Sequence, residues 1–403
     1  MDIYKSLMSG VLTVGFCLAF QAETKADGKI VIDSKIYSGT EYSSNFWKAE
    51  KESVAVSTYF VKPGLVFGYE TPKTKINTDL SMDAYGYEDQ ETRPPGVRDP
   101  SDDNYIGFTG SVLAEHQMTD RLKIGLDDSL LVTRDPASSD AASDSVSREK
   151  FTINRFTPGF VYDFGKKSST VFKYRNTATQ YTEDLGGEDS SENRGLFDLI
   201  YNLNKSAAVF LNYQVWTREY DATTSAYTSH KVTLNYAHTI NFLTFTGEAG
   251  YHTRAFDKNA CEDIDMFTWN LSAKGEEKKS GERKSRYSVV AMLGQALNDE
   301  GTGEEYFITT TAKLSGSYLF LGKIGTGARF EFQNNEYQND SGKREDDNIT
   351  AAGKISYEIF DYLSLSIEGG IKQRDSNIGD KNYDEEFVIA ILDFDYNFGR
   401  KQQ

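Results

Sequence analysis

The chain has 403 residues, and its 61 acidic against 44 basic side chains give a formal net charge of -17 at pH 7. This excess argues against nucleic acid as a partner, because phosphate contacts require a basic face. The 25 tyrosines and 25 phenylalanines against only 7 prolines favour a large sheet over disorder. Only Cys261 lies outside the N-terminal apolar run, which excludes a disulfide framework.

The N-terminus is typical of an export signal. Lys5 precedes the apolar run Leu7–Phe20, which is too short to cross a bilayer as a helix, since that needs about 20 residues. The small residue Ala26 then fits a cleavage site. The sequence therefore predicts a signal peptide over 1–26 and a mature domain over 27–403. A buried strand or helix is the alternative for the apolar run.

The mature chain alternates apolar and polar residues along most of its length. In KIGTGARFEFQ (Lys323–Gln333), Phe330 and Phe332 share one face of a strand. Arg329 and Glu331 share the other face, because side chains alternate across a sheet. Long alternating segments with one apolar, aromatic-edged face are typical of a transmembrane β-barrel. A soluble β-sandwich or propeller is the alternative, but its strands would usually run only about 5–6 residues.

Short turns and longer polar connections punctuate these segments in chain order. The predicted turns are Glu70–Lys75, Gln117–Arg121, Asp163–Ser168, Leu203–Ala207, His238–Asn241, Glu276–Glu282, Phe320–Lys323 and Ile359–Tyr362. The predicted long loops are Glu88–Asn104, Asp135–Glu149, Asn334–Asn348 and Asp375–Glu386. Such alternation predicts periplasmic turns, outer loops and an all-β, antiparallel, up-and-down transmembrane barrel of about 18 strands. Both chain ends would then be periplasmic.

The alternation also assigns a lipid face and a lumen face to each strand. Leu243, Phe245 and Tyr251 should face lipid, because a charge at bilayer depth on that face costs about 2–4 kcal/mol for Arg or Lys. Asp128 interrupts the apolar face of Leu122–Leu130, which we interpret as a bulge or a position at the outer rim.

The opposite faces supply candidate pore-lining residues. They are Lys173, Arg175, Trp216, Arg218, Glu248, Arg254, Lys313, Arg329, Glu331, Lys354, Glu358, Glu368 and Lys372. A barrel of about 18 strands is too wide for its side chains to fill, so we expect a water-filled passage for a polar solute. Aromatic and charged side chains together suit sugars. Each residue could equally line a hydrated wall without any specific contact.

The chain offers little for catalysis. Its histidines, His116, His230, His238 and His252, fall on separate hairpins or near turns, and no HExxH motif, P-loop or nucleophile elbow is present. We therefore predict no enzymatic activity, no cofactor and no metal site. The acidic loops lack the spacing of a calcium loop, so any divalent affinity would be that of solvated carboxylates.

Three segments resemble the β-barrel porin family found with exopolysaccharide and capsule export loci of Gram-negative bacteria. They are GTEYSSNFW (Gly39–Trp47), the hairpin Val61–Asp89 and the hairpin Arg155–Arg175. The resemblance spans the mature chain and implies an outer-membrane pore for secretion of an exopolysaccharide. It also implies a periplasmic polysaccharide-export protein as a partner, with outer-membrane lipid and the barrel-insertion machinery. A general or solute-specific uptake porin, a barrel lipase or protease, and a surface adhesin are the alternatives.

Overall fold

The computed structural model describes residues 28–51, 53–93, 95–135, 148–182, 187–222, 224–257, 262–277, 286–299, 306–338 and 344–398. The predicted signal peptide and the first mature residue lie outside these ranges. The described residues form one sheet of 18 strands. The strands are β1 Lys29–Ser43, β2 Val56–Glu70, β3 Thr74–Asp89, β4 Tyr105–Gln117, β5 Leu122–Thr133, β6 Phe151–Asp163, β7 Ser168–Tyr181, β8 Ser190–Asn202, β9 Ala207–Tyr220, β10 Tyr227–Ile240, β11 Leu243–Phe256, β12 Ile264–Glu277, β13 Tyr287–Asp299, β14 Tyr306–Phe320, β15 Ile324–Tyr337, β16 Glu345–Phe360, β17 Leu363–Ser376 and β18 Tyr383–Asn397.

Each strand pairs antiparallel with its neighbours in the chain, and β1 closes the ring by pairing with β18. The closing ladder runs without interruption from Asp33 opposite Asn397 to Ser43 opposite Phe387. Closure removes the unpaired edges that a transmembrane sheet cannot leave in lipid. The predicted barrel of about 18 up-and-down antiparallel strands is confirmed.

One end of the barrel, the turn end, carries tight turns at the predicted places. At 71–73, the Thr71 N–H donates to the Thr74 carbonyl, and the Thr74 N–H donates to Thr71 Oγ1 at 2.9 Å. One predicted turn is misplaced, because His238 belongs to β10 and the bend falls at Asn241, whose φ is 56°. Of the predicted turn Glu276–Glu282, the first two residues belong to β12 and the rest lie outside the described residues.

The opposite end, the loop end, has its longest connections at 44–55, 90–104 and 134–150. Two predicted loops are about half strand. In the predicted loop Asn334–Asn348, β15 extends to Tyr337 and β16 begins at Glu345. Polar residues continue this ladder, as where Asn334 Nδ2 donates to Asp347 Oδ1 at 2.9 Å. The loop predicted at Asp375–Glu386 likewise shrinks to 377–382.

Some of the loop-end connections contain short helices, and parts of others lie outside the described residues. Short 3-10 helices occupy Pro100–Asp103 and Gly379–Lys381. Most of the predicted loop Asp135–Glu149, namely 136–147, lies outside the described residues. In the part of the chain that the structure describes, no helix has the length and apolar character needed to cross a membrane.

Along the strands every second side chain points outward, and most of these outward side chains are apolar. Leu234, Leu314 and Ile355 are all more than half exposed, an arrangement that suits contact with lipid rather than water. Asp128 also lies on this outer face, in mid-strand, with continuous register to Val112 and Phe156. The predicted bulge or rim position is therefore wrong. Asn154 Nδ2 donates to its carboxylate at 3.4 Å, and neighbouring side chains shield Asp128 from the surroundings.

Candidate functional site: the charged inner face

Side chains that bridge alternate strands identify the concave, inner face of the wall. Lys35 Nζ on β1 lies 3.2 Å from Asp79 Oδ2 on β3, and Arg329 Nη2 on β15 lies 2.9 Å from Glu368 Oε1 on β17. Both contacts pass over an intervening strand. Side chains two residues apart on a strand, and residues directly paired on neighbouring strands, share a face of the sheet. Starting from these contacts, this rule places every predicted lining residue on the inner face. They are Lys173, Arg175, Trp216, Arg218, Glu248, Arg254, Lys313, Arg329, Glu331, Lys354, Glu358, Glu368 and Lys372.

Some predicted lining residues are brought together as ion pairs. Lys313 Nζ lies 3.1 Å from Glu331 Oε2. Lys372 Nζ lies 3.2 Å from both oxygens of Glu385, a carboxylate that sequence reasoning did not single out. The Lys313–Glu331 pair is partly exposed to the lumen, so it contributes only about 0–1 kcal/mol to stability. The main effect of these pairs is to fix the positions of charges along the passage.

A basic cluster covers the inner face from β7 to β11. Arg175, Arg194, Arg218, Lys231 and Arg254 contribute its positive charges, with Trp216 and His252 between them. Together with residues of β12 and β13 they line a cavity of about 420 Å³. Arg194 and Lys231 were missed as candidates, although their positions in the alternation place both on the inner face. Two carboxylates form ion pairs with the cluster: Glu192 pairs with Arg194, and Glu248 pairs with Lys231.

An aromatic ladder runs up the inner face of β1 to β4, separated from the basic cluster by β5 and β6. Tyr37 stacks on Phe60 with ring centroids 5.5 Å apart, and Tyr85 stacks on Tyr105 at 4.9 Å. Lys62 Nζ lies 4.9 Å above the Tyr85 ring. Such stacked rings offer flat apolar surfaces to a solute within an otherwise charged lumen.

The connection between β1 and β2 folds inward at the loop end. Its Phe46 is buried in a cluster with Val54, Val56, Tyr87 and Tyr105. Arg148, which precedes β6, lies 3.8 Å above the Phe46 ring and donates from Nη1 to the Tyr87 hydroxyl at 3.2 Å. The lumen is therefore narrower at the loop end than the bare ring of strands would leave it.

A second group narrows the same end near β10 and β14. The Tyr306 hydroxyl, at the start of β14, donates to the Ser225 carbonyl next to β10 at 2.9 Å. The Tyr306 ring also packs against Tyr227 and against Phe256 of β11. These contacts pass over the ends of β12 and β13, so this side of the mouth is covered by side chains.

The surroundings of Lys48, in the inward-folded connection at the mouth, lower the pKa of its side chain. Desolvation by the surrounding chain lowers the pKa of the Lys48 ammonium to about 8, and repulsion from Lys372 acts in the same direction. The side chain also lies 5.9 Å from the centre of the Tyr383 ring. Lys48 therefore loses part of its charge between neutral pH and pH 9.

The histidines are distributed as separate groups. His116 and His230 lie on the outer face, hydrogen-bonded to Thr74 and Tyr213 respectively, each at 2.9 Å. His252 alone joins the basic cluster, with its ring 5.0 Å from Trp216. Among the described residues, no group of three or more His, Cys, Asp or Glu side chains could hold a metal ion.

A closed barrel with an apolar outer belt, a charged inner face and a partly covered mouth defines the class of outer-membrane β-barrel channels. The family model described as "Putative beta-barrel porin 2" matches residues 20–396, and the chain belongs to that family. It is thus a porin of the Gram-negative outer membrane. The family description contains no link to exopolysaccharide export loci, so that part of the predicted resemblance stays a prediction.

Solved structures of similar fold include channels from Pseudomonas aeruginosa and Acinetobacter baumannii. Pseudomonas aeruginosa OpdK with vanillate is 11% identical, with a TM-score of 0.52 over 92% of this chain and 99% of that one. Pseudomonas aeruginosa OpdQ is 9% identical, with a TM-score of 0.51 over 92% and 99% of the two chains. Acinetobacter baumannii OccAB4 is 10% identical, with a TM-score of 0.51 over 93% and 100%. At these identities the likeness shows the shared fold alone. No curated protein matches the sequence.

The orientation of the barrel can be tested with inserted epitope tags. A tag after Ala222, in the connection between β9 and β10, should be labelled on intact cells, because outer-membrane barrels place their loops outside. A tag after Lys166, in the turn between β6 and β7, should be labelled only after permeabilisation. Antibody binding with and without permeabilisation is the measurement, and the reverse pattern would invert the assignment.

Proposed function

We propose that this porin is a passive uptake channel for small polar solutes. The observation that carries the proposal is the covered mouth, where Phe46 packs against Tyr87 and Tyr306 hydrogen-bonds beside β10. A conduit for a polymer needs a lumen that is open along its length. A channel that selects among small solutes needs a constriction where the solute contacts side chains.

The inner face supplies contacts of the required kind. A ring of 18 strands leaves more space than its own side chains fill, so inward-folded connections and long charged side chains determine what passes. In this proposal the predicted lining residues contact the solute or its water. Lys354 and Lys173 extend into the passage, whereas Arg329 and Glu368 hold each other in place.

The solved relatives support small solutes over polymers. The structure of OpdK was determined with vanillate, a small molecule, and its wall has the same architecture as this one. The alternative prediction of an uptake porin is therefore better supported than exopolysaccharide export. Neither the family description nor the names of these relatives refer to a polysaccharide.

Solute flux tests this proposal directly. The purified full-length porin in liposomes should admit a monosaccharide quickly, a disaccharide slowly and a long maltodextrin hardly at all, as measured by liposome swelling. Combining Phe46→Ala with Tyr306→Ala should raise the disaccharide rate several-fold by opening the mouth. Phe160→Ala, which removes a ring from the lipid face, is the matched control and should leave the rates unchanged.

Gene deletion separates uptake from export in cells. A deletion strain should keep its surface polysaccharide and take up small polar nutrients more slowly at low external concentration. Loss of surface polysaccharide, together with equal permeation of the monosaccharide and the maltodextrin, would overturn the proposal and favour export.

A further inference from the structure

The basic cluster on β7 to β11 is unexpected in a chain with a net charge of -17. Its five cations line one cavity, and the lining of that cavity includes one carboxylate, Glu192, while Glu248 pairs with Lys231 beside it. Elsewhere the inner face is rich in acidic residues, such as Asp79, Asp393 and Asp395. Inner-face cations outside this cluster, such as Lys35, Lys313 and Arg329, are paired with carboxylates. The cluster is therefore the region of the described wall where positive charge is most concentrated, and it would attract an anion in the lumen.

Several N–H groups in the cavity have no hydrogen-bond partner among the described residues. These buried atoms include Trp216 Nε1, Arg175 Nε and Arg254 Nη1, and His252 Nε2 is also unpartnered. The side chains of Trp216, His252 and Arg254 are only 4–5% exposed. Buried donors are usually satisfied in folded proteins. Because all four residues line one cavity, their unpaired donors point to an acceptor that binds there.

The cavity is built from side chains that neighbours hold in place. The guanidinium of Arg194 lies 4.3 Å above the Trp216 ring, while both oxygens of Glu192 accept hydrogen bonds from Arg194. Arg254 Nε donates to Ser229 Oγ at 3.1 Å, and its guanidinium lies 4.0 Å above the Tyr227 ring. None of these hydrogen bonds uses Arg254 Nη1. The fixed side chains lower the entropy lost when a ligand binds.

We propose that this cavity binds the oxyanion group of a small solute, a carboxylate or a phosphate, as the solute crosses the channel. This inference rests on the proposed uptake function and adds the chemical class of solute. Guanidinium groups match the geometry of both oxyanions through paired N–H donors, and the Trp216 indole can only donate. The cavity volume of about 420 Å³ is within the usual range for a small-molecule site.

Single-channel recording in planar bilayers tests the site, with inorganic phosphate and benzoate as probes in a chloride background. Both probes carry an oxyanion, and at least one should block the wild-type current in a concentration-dependent way. Arg175→Gln combined with Arg254→Gln should weaken that block by about tenfold or more, because two charged donors are lost. Lys35→Gln combined with Lys123→Gln removes the same charge from the inner face elsewhere and should change the block less than about twofold.

The outcomes distinguish the site from the channel. Block by benzoate alone identifies a carboxylate site, and block by phosphate alone identifies a phosphate site. If the arginine variant fails to assemble, Trp216→Phe removes one donor at similar volume and should weaken block about threefold to tenfold. A wild-type channel that conducts chloride but is blocked by neither probe, or equal block in both double variants, would overturn the anion site and leave the uptake proposal standing. A barrel that conducts nothing would overturn both.

Discussion

Asp346→Ala should lower the free energy of unfolding by about 3–5 kcal/mol, because it removes one partner of a buried ion pair. Asp346 is 0% exposed at the start of β16. Arg344 Nη2 lies 2.5 Å from its Oδ2, and Arg374 Nε of β17 lies 3.8 Å from the same oxygen. The Arg344 guanidinium also lies 4.2 Å above the Tyr337 ring, which ties this corner to β15.

Reversible urea unfolding of the full chain in lipid vesicles, followed by tryptophan fluorescence, measures the effect. Asp102→Ala is the matched control, because Asp102 is an exposed carboxylate in the 3-10 helix Pro100–Asp103 and its loss should change stability by no more than about 0.5 kcal/mol. If both variants unfolded at the same urea concentration, Asp346 would not have the structural role assigned to it.

The fold could be predicted from sequence because lipid imposes a strict two-residue period on every strand that crosses it. Phe330 and Phe332 on one face, with Arg329 and Glu331 on the other, specify both a strand and its orientation. Repetition of that pattern, with short turns between, leaves a closed barrel as the only arrangement that pairs every strand. The period also gives the face of each lining residue.

The same reasoning fails where the strands leave the membrane. At 334–336 and 345–348 both faces are polar, so alternation disappears and these residues resemble a loop, although their backbones are paired as far as Glu336 opposite Glu345. At Asp128 the error was the opposite one, because an irregular backbone was predicted where the strand is regular. A carboxylate on the apolar face suggested an irregular backbone, yet the strand continues, and Asn154 provides a hydrogen bond.

For the candidate site, the sequence predicts which face each side chain occupies but not which side chains meet. Alternation shows that Arg175, Trp216 and Arg254 face inward, but it gives neither their heights nor their neighbours, which depend on register around the ring. The cavity they form with His252 and Lys231 draws on strands far apart in the chain. The inward fold that carries Phe46 has no periodic signal at all, because its burial depends on Arg148 and Tyr87.

The assignment of lipid and lumen faces yields the second large effect. Ile355→Arg should lower the free energy of unfolding in vesicles by about 2–4 kcal/mol, because it places a charge near the middle of the lipid-facing belt. Ile355 is 64% exposed on the outer face of β16, between Thr326 of β15 and Ile367 of β17. An arginine there could reach water only by bending its side chain along the wall.

The adjacent residue provides the control. Ser356 points to the lumen, where it lies between Gly325 and Ser366 in the ladder. These small neighbours leave room for a larger side chain, and the nearby inner-face carboxylates Glu358 and Glu368 would favour a positive charge. Ser356→Arg should therefore stay within about 0.5 kcal/mol of wild type. Equal losses from the two substitutions, measured by the same urea titration, would mean that the faces of β16 have been exchanged. The lumen assignment of Lys354 and Glu358 would then fail with them, because side chains two residues apart share a face.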